Sequence, residues 1–290
     1  MNKVQLTPLK GAVRSFLART APAYTRETTF YRGSPMIQVD PALSDDEFLR
    51  LFEKGIGAQW SSDQIDWGLV QGLSPTQKDA LGQVITPVFL GEQTAMLGVS
   101  AVLPMILTSG YPEAALYLAS MGLDEARHFR NLSRLYRTLE VEPLPSRRLP
   151  EMWRYHARLL QKHDPVQWVF GILISDLFAK TFYGGFAERF PDTVVGRLSH
   201  RTLQDEARHQ AFSDRYLNRM LPTMEPRARV QLLVLRDDLF RIMEKLGERL
   251  RGPMETLDWS PEAFLEELWN DTEKWVKRLG LVEAPEVFSP

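Results

Sequence analysis

The order of apolar and polar residues along the chain predicts helices. Helix-capping patterns recur, whereas short alternating runs closed by Asn-Gly or Asp-Gly turns, which are typical of strands, do not occur. Ser44 and Glu47 form a capping-box pattern that predicts a helix to about Lys54. The Ser-Pro-Thr-Gln sequence at 74–77 places proline at the first helical position and opens a long apolar segment to about Ser109. The predicted fold class is therefore all-α.

Prolines and loops divide the rest of the chain. Pro87 and Pro104 lie inside the apolar segment and are expected to bend it, because each removes one helical hydrogen bond. The Val-Glu-Pro-Leu-Pro-Ser stretch at 141–146 is the clearest loop and separates two halves. The pattern predicts further helices at about 113–139, 151–161, 165–190, 193–220, 226–250 and 260–279.

An internal repeat defines the organisation. The string Asp-Glu-Ala-Arg-His occurs at 124–128 and again at 205–209, which suggests two similar helical hairpins, each half of a four-helix bundle. We expect a single domain over residues 1–290, with the bundle at about 75–220 and accessory helices at 44–54 and 226–279.

Composition narrows the chemistry. The 290 residues include 35 basic and 37 acidic side chains, so no strong net field points to nucleic acid or to an anionic membrane. The absence of cysteine excludes thiol catalysis and thiolate-bound metals, and leaves carboxylates and imidazoles as metal ligands. The apolar run from Met96 to Leu107 is about half the ~20 residues that cross a bilayer, and the N-terminus lacks a secretory-signal pattern. We expect a cytoplasmic protein that binds no membrane.

The repeat also contains the candidate metal ligands. Glu125 and His128, and likewise Glu206 and His209, are three residues apart on a helix and can converge on one ion. A lone Glu-x-x-His is weak evidence, but two identical copies in a chain with only 5 histidines predict a metal site. Glu92 is the only carboxylate between Asp79 and Glu113, so we interpret it as a third ligand rather than a surface residue.

The third helix of the bundle offers two candidates for the fourth carboxylate position, Asp176 and Lys180. If the helices are antiparallel around Pro191, Asp176 lies at the level of Glu206 and His209, so we select Asp176 as the ligand. The alternative is an ion pair between Asp176 and Lys180 and a metal site that lacks one carboxylate.

Residues next to the ligands have two interpretations. Asp124 and Asp205 lie four residues before His128 and His209 and could accept the second N–H of an imidazole. The alternative is a solvated face or salt bridges with the neighbouring arginines. The three other histidines have no such spacing and are interpreted as structural: His156, His163 and His200.

These residues resemble a known family. Glu92, Glu125-x-x-His128, a third-helix carboxylate and Glu206-x-x-His209 are similar to the ligands of the ferritin-like dinuclear metal-carboxylate proteins, within the group similar to the small subunit of class I ribonucleotide reductase. The resemblance spans about residues 58–220 and is closest to the ligand-binding oxidases of that group, through the runs at 88–92 and 115–125. It implies a ferritin-like four-helix bundle with additional N- and C-terminal helices.

Departures from the family pattern restrict the function. Leu132 stands where reductase subunits carry a radical-forming tyrosine, and the last tyrosine is Tyr216, far from the C-terminus. By alignment with the ligand-binding oxidases, Lys180 replaces a glutamate ligand and Ser175 replaces a cross-linking tyrosine. That alignment conflicts with the choice of Asp176. It leaves three alternatives open: the metal site is defective, Asp176 replaces the missing glutamate from one turn away, or Lys180 is itself functional.

The leading hypothesis is an oxidase or oxygenase that activates O2 with two iron ions, or with a manganese and an iron ion, and acts on a small apolar or fatty organic substrate. Lys180 is then a candidate catalytic residue that could hold a substrate carboxylate or a proton. A substrate cavity lined by apolar side chains is expected: Phe89, Ala95, Met96, Val99, Phe178 and Phe182. Alternatives are a ferroxidase, a radical generator for ribonucleotide reduction and a metal-free scaffold. The expected assembly is a homodimer formed through the ligand-bearing hairpins, with an electron donor that is not identified.

Overall fold

The computed structural model describes residues 47–70, 72–161 and 164–281, all within one compact unit. In this part of the chain the regular structure is entirely helical, which confirms the predicted all-α class. Ser44, half of the predicted capping box, lies outside the described residues, as does His163.

Nine α-helices follow one another in the described residues: α1 (Glu47–Gly57), α2 (Pro75–Thr108), α3 (Pro112–Leu139), α4 (Pro150–Leu160), α5 (Pro165–Arg189), α6 (Val194–Met220), α7 (Pro226–Arg249), α8 (Arg251–Thr256) and α9 (Pro261–Arg278). Three short 3-10 turns separate some of them: Ser62–Gln64, Ser146–Arg148 and Leu221–Thr223. The helices predicted from residue 75 onward lie within one residue of these bounds, whereas α1 ends three residues after the predicted Lys54 and α8 was not expected.

Local capping explains where three of the bundle and accessory helices begin. The Ser74 side chain accepts from the Gln77 amide while the Gln77 side chain accepts from the Ser74 amide, which satisfies two donors of the first turn of α2. Asp164 caps α5 and Ser260 caps α9 in the same general way, each followed by proline. These starts were predicted because the capping residue and the amide that donates to it lie within one turn of sequence.

Two helical hairpins form the bundle. Helices α2 and α3 are joined by three residues and pack along their length, and α5 and α6 form the second hairpin. Contacts of α2 with α5 and of α3 with α6 close the four helices around a common interior. The accessory helices cover the outside, with α1 on α3 and α6, α4 on α2 and α7, and α9 on α5 and α7.

The aromatic packing of α5 shows why one position must be glycine. A Cβ placed at Gly185 would lie 2.3 Å from the Trp259 ring, so a side chain there would displace the indole. Trp259 packs against Phe182, Phe186 and Phe264 with ring centroids 5.3 to 5.6 Å apart. This aromatic cluster fixes the C-terminal helices on α5.

Two of the bundle helices are long and apolar enough to cross a membrane by length and composition, Pro75–Thr108 and Pro165–Arg189. In the most apolar part of the second, 67% of the residues are buried within the fold, whereas the figure for the first is 28%. Burial in the bundle accounts for the composition of α5, and part of α2 presents apolar side chains outward. The expectations of a cytoplasmic location and of no membrane partner therefore stay predictions.

Candidate metal centre

Six ligand-type side chains converge in the interior of the bundle. Helix α2 contributes one carboxylate, α5 another, and the repeated Glu-x-x-His of α3 and α6 contributes a carboxylate and an imidazole each. At most 5% of any of these residues is exposed: Glu92, Glu125, His128, Asp176, Glu206 and His209. They are the metal ligands that the sequence predicts, brought together from four helices.

The two imidazoles face a shared set of carboxylates. His128 Nδ1 lies 3.5 Å from Glu92 Oε2 and 3.7 Å from both Glu125 Oε2 and Glu206 Oε1. His209 Nδ1 lies 3.4 Å from Glu125 Oε1 and 3.6 Å from Glu206 Oε2. Each repeat glutamate therefore approaches both histidines, one through each of its two oxygens.

This geometry divides the cluster into two overlapping groups. Ligand atoms of Glu92, His128 and Glu206 lie within 4.8 Å of one another, and so do those of Asp176, Glu206 and His209. Glu206 belongs to both groups, and Glu125 reaches both imidazoles. The arrangement suits two neighbouring metal ions that share two glutamates, each with a terminal carboxylate and a histidine of its own.

Unsatisfied polar atoms indicate that the cluster fits a metal. Nδ1 of His128, Nδ1 of His209 and Oδ2 of Asp176 are buried with no hydrogen-bond partner. Buried polar groups are ordinarily satisfied, because an unpaired one costs about 1–3 kcal/mol. All three orphaned atoms are of types that bind iron and manganese, and two divalent cations would balance the four buried carboxylates.

The electrostatics of the bare cluster lead to the same inference. Burial, together with the charge of Glu206, raises the pKa of Asp176 well above its usual value. Burial and the charge of Glu92 raise the pKa of Glu125 in the same way. Burial opposes the charge of His128, but Glu92 and its other acidic neighbours raise the pKa of that imidazole well above 6.5. The ionised carboxylates require positive charge, which protons or bound cations can supply.

A second layer of charged residues holds the imidazoles. His128 Nε2 lies 3.0 Å from Asp205 Oδ2, and His209 Nε2 lies 3.3 Å from Asp124 Oδ2. The pairing is crossed, since the aspartate of each repeat contacts the histidine of the other. With Nε2–H donated outward to an aspartate, each Nδ1 presents its lone pair to the cluster. The aspartates thereby set the tautomer that a metal ligand needs.

The same aspartates also bind the arginines of the repeat. Arg127 Nη2 lies 2.5 Å from Asp124 Oδ1 and 2.7 Å from Asp205 Oδ2. Arg208 Nη2 contacts Asp205 and lies 3.2 Å from Asp124 Oδ2. Both interpretations drawn from the sequence, an imidazole partner and a salt bridge, therefore hold for each aspartate, and the solvated face does not, because both carboxylates are buried.

Three neighbours of the cluster were not predicted from the sequence. Trp60 Nε1 donates to Asp205 Oδ2 at 2.8 Å, and Gln59 Nε2 donates to Asp124 Oδ1 at 2.8 Å. The Tyr183 hydroxyl donates to Glu92 Oε1 at 2.5 Å. These contacts join residues 65 to 145 positions apart, and no spacing rule within one helix detects them.

Lys180 lies outside the cluster, which corrects its interpretation as a catalytic residue. Its Nζ binds Asp271 Oδ2 of α9 at 2.6 Å, and 43% of the lysine side chain is exposed. The ion pair with Asp176 does not form either. Lys180 and Asp176 are one turn apart on α5, but Asp176 is buried in the cluster whereas Lys180 contacts α9.

An apolar cavity leads to the cluster. Its volume is about 80 Å³, and it lies between α2, α3, α4, α5, α6 and α7. Four cluster carboxylates lie on its wall: Glu92, Glu125, Asp176 and Glu206. Most of the remaining wall is apolar, including Val88, Met152, Ile172 and Leu246. A bound molecule would thus lie in an apolar chamber with one end against the carboxylates.

The predicted lining is partly correct. Ala95, Val99 and Phe178 line the cavity, whereas Phe89, Met96 and Phe182 do not. Phe89 instead stacks on Phe129 with ring centroids 5.0 Å apart. His156, interpreted from the sequence as structural, lies on the cavity wall, to which the accessory helix α4 brings it.

Comparison with solved structures identifies the fold. An aldehyde deformylating oxidase from Synechococcus superposes with a TM-score of 0.63 at 16% identity, covering 76% of this chain and 95% of that one. An R2-like ligand-binding oxidase superposes with a TM-score of 0.64 at 17% identity, covering 82% of this chain and 94% of the other. A variant of such an oxidase with a reconstituted Mn/Fe cofactor gives 0.63 at 17% identity, covering 82% and 98%.

No protein-family model and no curated protein matches the chain. The chain has the fold of the ferritin-like dinuclear metal proteins, as the resemblance of its motifs implied. At these identities the likeness establishes the fold, and any inference about chemistry must rest on the ligand cluster and on the cavity beside it.

Proposed function

We propose that this protein binds two iron ions, or one manganese and one iron ion, and uses molecular oxygen to oxidise a small apolar or fatty organic molecule. The observation that carries the proposal is the apolar cavity whose wall includes four carboxylates of the ligand cluster. A site that only stored or oxidised iron would not need an apolar cavity beside its ligands.

In this proposal the distances would divide the candidate ligands between two ions. Glu92 and His128 would hold one ion, Asp176 and His209 would hold the other, and the two repeat glutamates would hold both. When bound, the metal pair would supply the electrons that reduce oxygen and the oxidising power that acts on the substrate.

The chain itself has three tasks in this proposal. Asp205 and Asp124 fix the imidazoles with Nδ1 toward the cluster. The Tyr183 hydroxyl holds one oxygen of Glu92 and leaves the other for a ligand role. The apolar wall binds the hydrocarbon part of the substrate and excludes water from the carboxylates, which strengthens their electrostatic interactions.

Elemental analysis and oxygen uptake test the proposal. We expect about two metal ions per chain after expression with iron and manganese available, and oxygen consumption that fatty or aromatic compounds stimulate. The variant Glu206→Gln removes charge from both metal groups and should lose most of the metal. Glu188→Gln is the matched control, since 83% of the Glu188 side chain is exposed on the same bundle. A wild-type protein with almost no metal, not restored by anaerobic ferrous iron, would contradict the proposal.

We also propose that two copies pair through the outward face of the α2–α3 hairpin. Leu97 on α2 is 47% exposed and Leu123 on α3 is 53% exposed, and this surface adds exposed alanines at 101 and 119. Light scattering should give a dimer for the wild type and a monomer for a Leu97→Glu and Leu123→Glu double variant. Val230→Glu, at a 39% exposed position of α7, should remain a dimer. A monomeric wild type would refute the pairing.

A further inference from the structure

The cavity wall contains two hydrogen-bonded pairs of side chains in otherwise apolar surroundings. Thr94 Oγ1 lies 2.9 Å from His156 Nδ1, which joins α2 to α4. The Tyr155 hydroxyl lies 2.8 Å from Ser175 Oγ, which joins α4 to α5. None of these four residues belongs to the ligand cluster, and the proposed chemistry does not use them.

The first pair has one possible arrangement of protons that satisfies every contact. Thr94 Oγ1 donates to the Leu90 carbonyl at 3.1 Å, so its single hydrogen is committed. His156 Nδ1 must then carry a hydrogen and donate it to Thr94, and Nε2 keeps its lone pair. This tautomer is assigned from the hydrogen-bond network. Burial lowers the pKa of His156 to about 4, so the imidazole is neutral at neutral pH.

The second pair follows the same logic. Ser175 Oγ donates to the Gly171 carbonyl at 2.9 Å, so its hydrogen is committed as well. The Tyr155 hydroxyl must then donate to Ser175, and its oxygen keeps lone pairs. All polar hydrogens of the two pairs are donated within the protein. His156 Nε2 and the Tyr155 hydroxyl oxygen keep lone pairs, so the pairs offer only hydrogen-bond acceptors to a bound molecule.

Both pairs lie close to the ligand cluster. Ser175 directly precedes Asp176 on α5, and Thr94 lies two residues after Glu92 on α2. The Tyr155 and His156 rings are adjacent, with centroids 6.1 Å apart, so α4 presents both acceptors together. A group bound by these acceptors would lie in the same cavity as the cluster carboxylates.

We propose that the substrate is an apolar molecule with a hydrogen-bond donor, a hydroxyl or an N–H group, which donates to His156 Nε2. The inference rests on the proposed function and names the substrate class of the same cavity. A hydrocarbon, an ether or a carboxylate has no hydrogen to donate, and would leave the acceptors unpaired in an apolar chamber. A site built to pair with a donor discriminates against ligands that lack one.

Two matched ligands test the inference, 1-decanol and 1-fluorodecane, which differ in the presence of a donor and little in size. Affinities are measured by displacement of a fluorescent apolar probe from the full-length protein, with and without anaerobic ferrous iron. We expect the alcohol to bind at least about fivefold more tightly than the fluoride. His156→Phe, which removes the acceptor, should bring the ratio close to one. His156→Gln, whose amide can donate to Thr94 and accept through its oxygen, should restore part of it.

Further variants keep the test decisive if His156→Phe does not fold. Thr94→Val removes the acceptor of the Nδ1 hydrogen, so the proton can move to Nε2 and the preference for the alcohol should decrease. Ser100→Ala changes an exposed hydroxyl of the same helix and should leave the ratio unchanged. Equal affinities in the wild type, failure of both ligands to bind, or an undiminished ratio in His156→Phe and Thr94→Val would overturn the inference. Because the ratio is measured without metal as well, a failed metal site would be recognised separately.

Discussion

The crossed pairing of aspartates and histidines makes a prediction about which residue controls which metal position. Asp205 lies on α6 but accepts from His128 of α3, with both side chains fully buried. Asp205→Asn removes the negative charge opposite the His128 N–H and keeps the size of the side chain. We expect the ion held by Glu92 and His128 to weaken, and the ion held by His209 on the same helix as Asp205 to be little affected.

The magnitude follows from two contributions. Loss of an outer partner of a ligand histidine typically weakens metal binding about 10- to 100-fold, or about 1.4–2.7 kcal/mol. The substitution also takes an anion from Arg127, 2.7 Å away, and from Arg208, and removing one partner of a buried ion pair costs about 3–5 kcal/mol. Asp124 still contacts both arginines, so we expect a stability loss near the lower end of that range.

A double-mutant cycle measures the coupling directly. Anaerobic ferrous iron is titrated into Asp205→Asn, His128→Ala and the double variant, and then into the corresponding set with His209→Ala. We expect the first pair to be strongly non-additive, because both substitutions disable the same ion, and the second pair to be nearly additive. The opposite result, coupling of Asp205 to the histidine of its own repeat, would refute the crossed arrangement.

Asp214→Asn supplies the control for general destabilisation. Asp214 lies on the same helix as Asp205, and its carboxylate binds Arg278 at 2.5 Å, away from the cluster. The variant should lower the free energy of unfolding and leave the iron affinity unchanged. Iron binding by Asp205→Asn equal to that of the wild type would show that the aspartate does not position the imidazole.

Three further predictions concern residues around the centre. Lys180→Ala should leave the metal content unchanged and cost about 0–1 kcal/mol in chemical denaturation, because it breaks only the partly exposed pair with Asp271; loss of metal would restore a role in the site. Because burial lowers the pKa of His156 to about 4, its contribution to stability is fully present above about pH 6.5 and is lost as the pH falls through 4. The loss should approach about 3 kcal/mol, and an unchanged acid profile in His156→Phe would contradict this. Gly185→Ala should destabilise the protein by about 1–3 kcal/mol through its clash with Trp259, as thermal unfolding would show.

The parts of the fold that the sequence predicted depend on local rules. Ser74 caps α2 through Gln77, three residues ahead, and Asp164 caps α5 through residues two and three positions ahead. Such contacts form within one turn whatever the rest of the chain does. The short helix α8 was missed because no side chain caps its start at Leu250. It also follows directly after α7, with only Leu250 between the two helices.

The candidate site divides in the same way. Glu-x-x-His spacing places a carboxylate and an imidazole on one face of a helix, and its repetition singled out four of the six candidate ligands without any tertiary information. The choice of Asp176 over Lys180 depended on helix level, and the structure places Asp176 in the cluster and Lys180 against α9. Counting residues from the connecting turn predicts which side chains lie side by side only when two antiparallel helices pack closely along their length, as α5 and α6 do.

The sequence by itself determined the helices, their faces and the ligand types of this protein. Only the tertiary structure decided that each aspartate serves the histidine of the other repeat, that Tyr183 holds Glu92, and that α4 brings His156 to the cavity. The physical reason is that helical periodicity fixes which side chains share a face, because residues three or four positions apart lie about one turn apart on the same side of the helix. Which helix meets that face depends on how the hydrophobic surfaces of distant segments pack, and no local spacing encodes it.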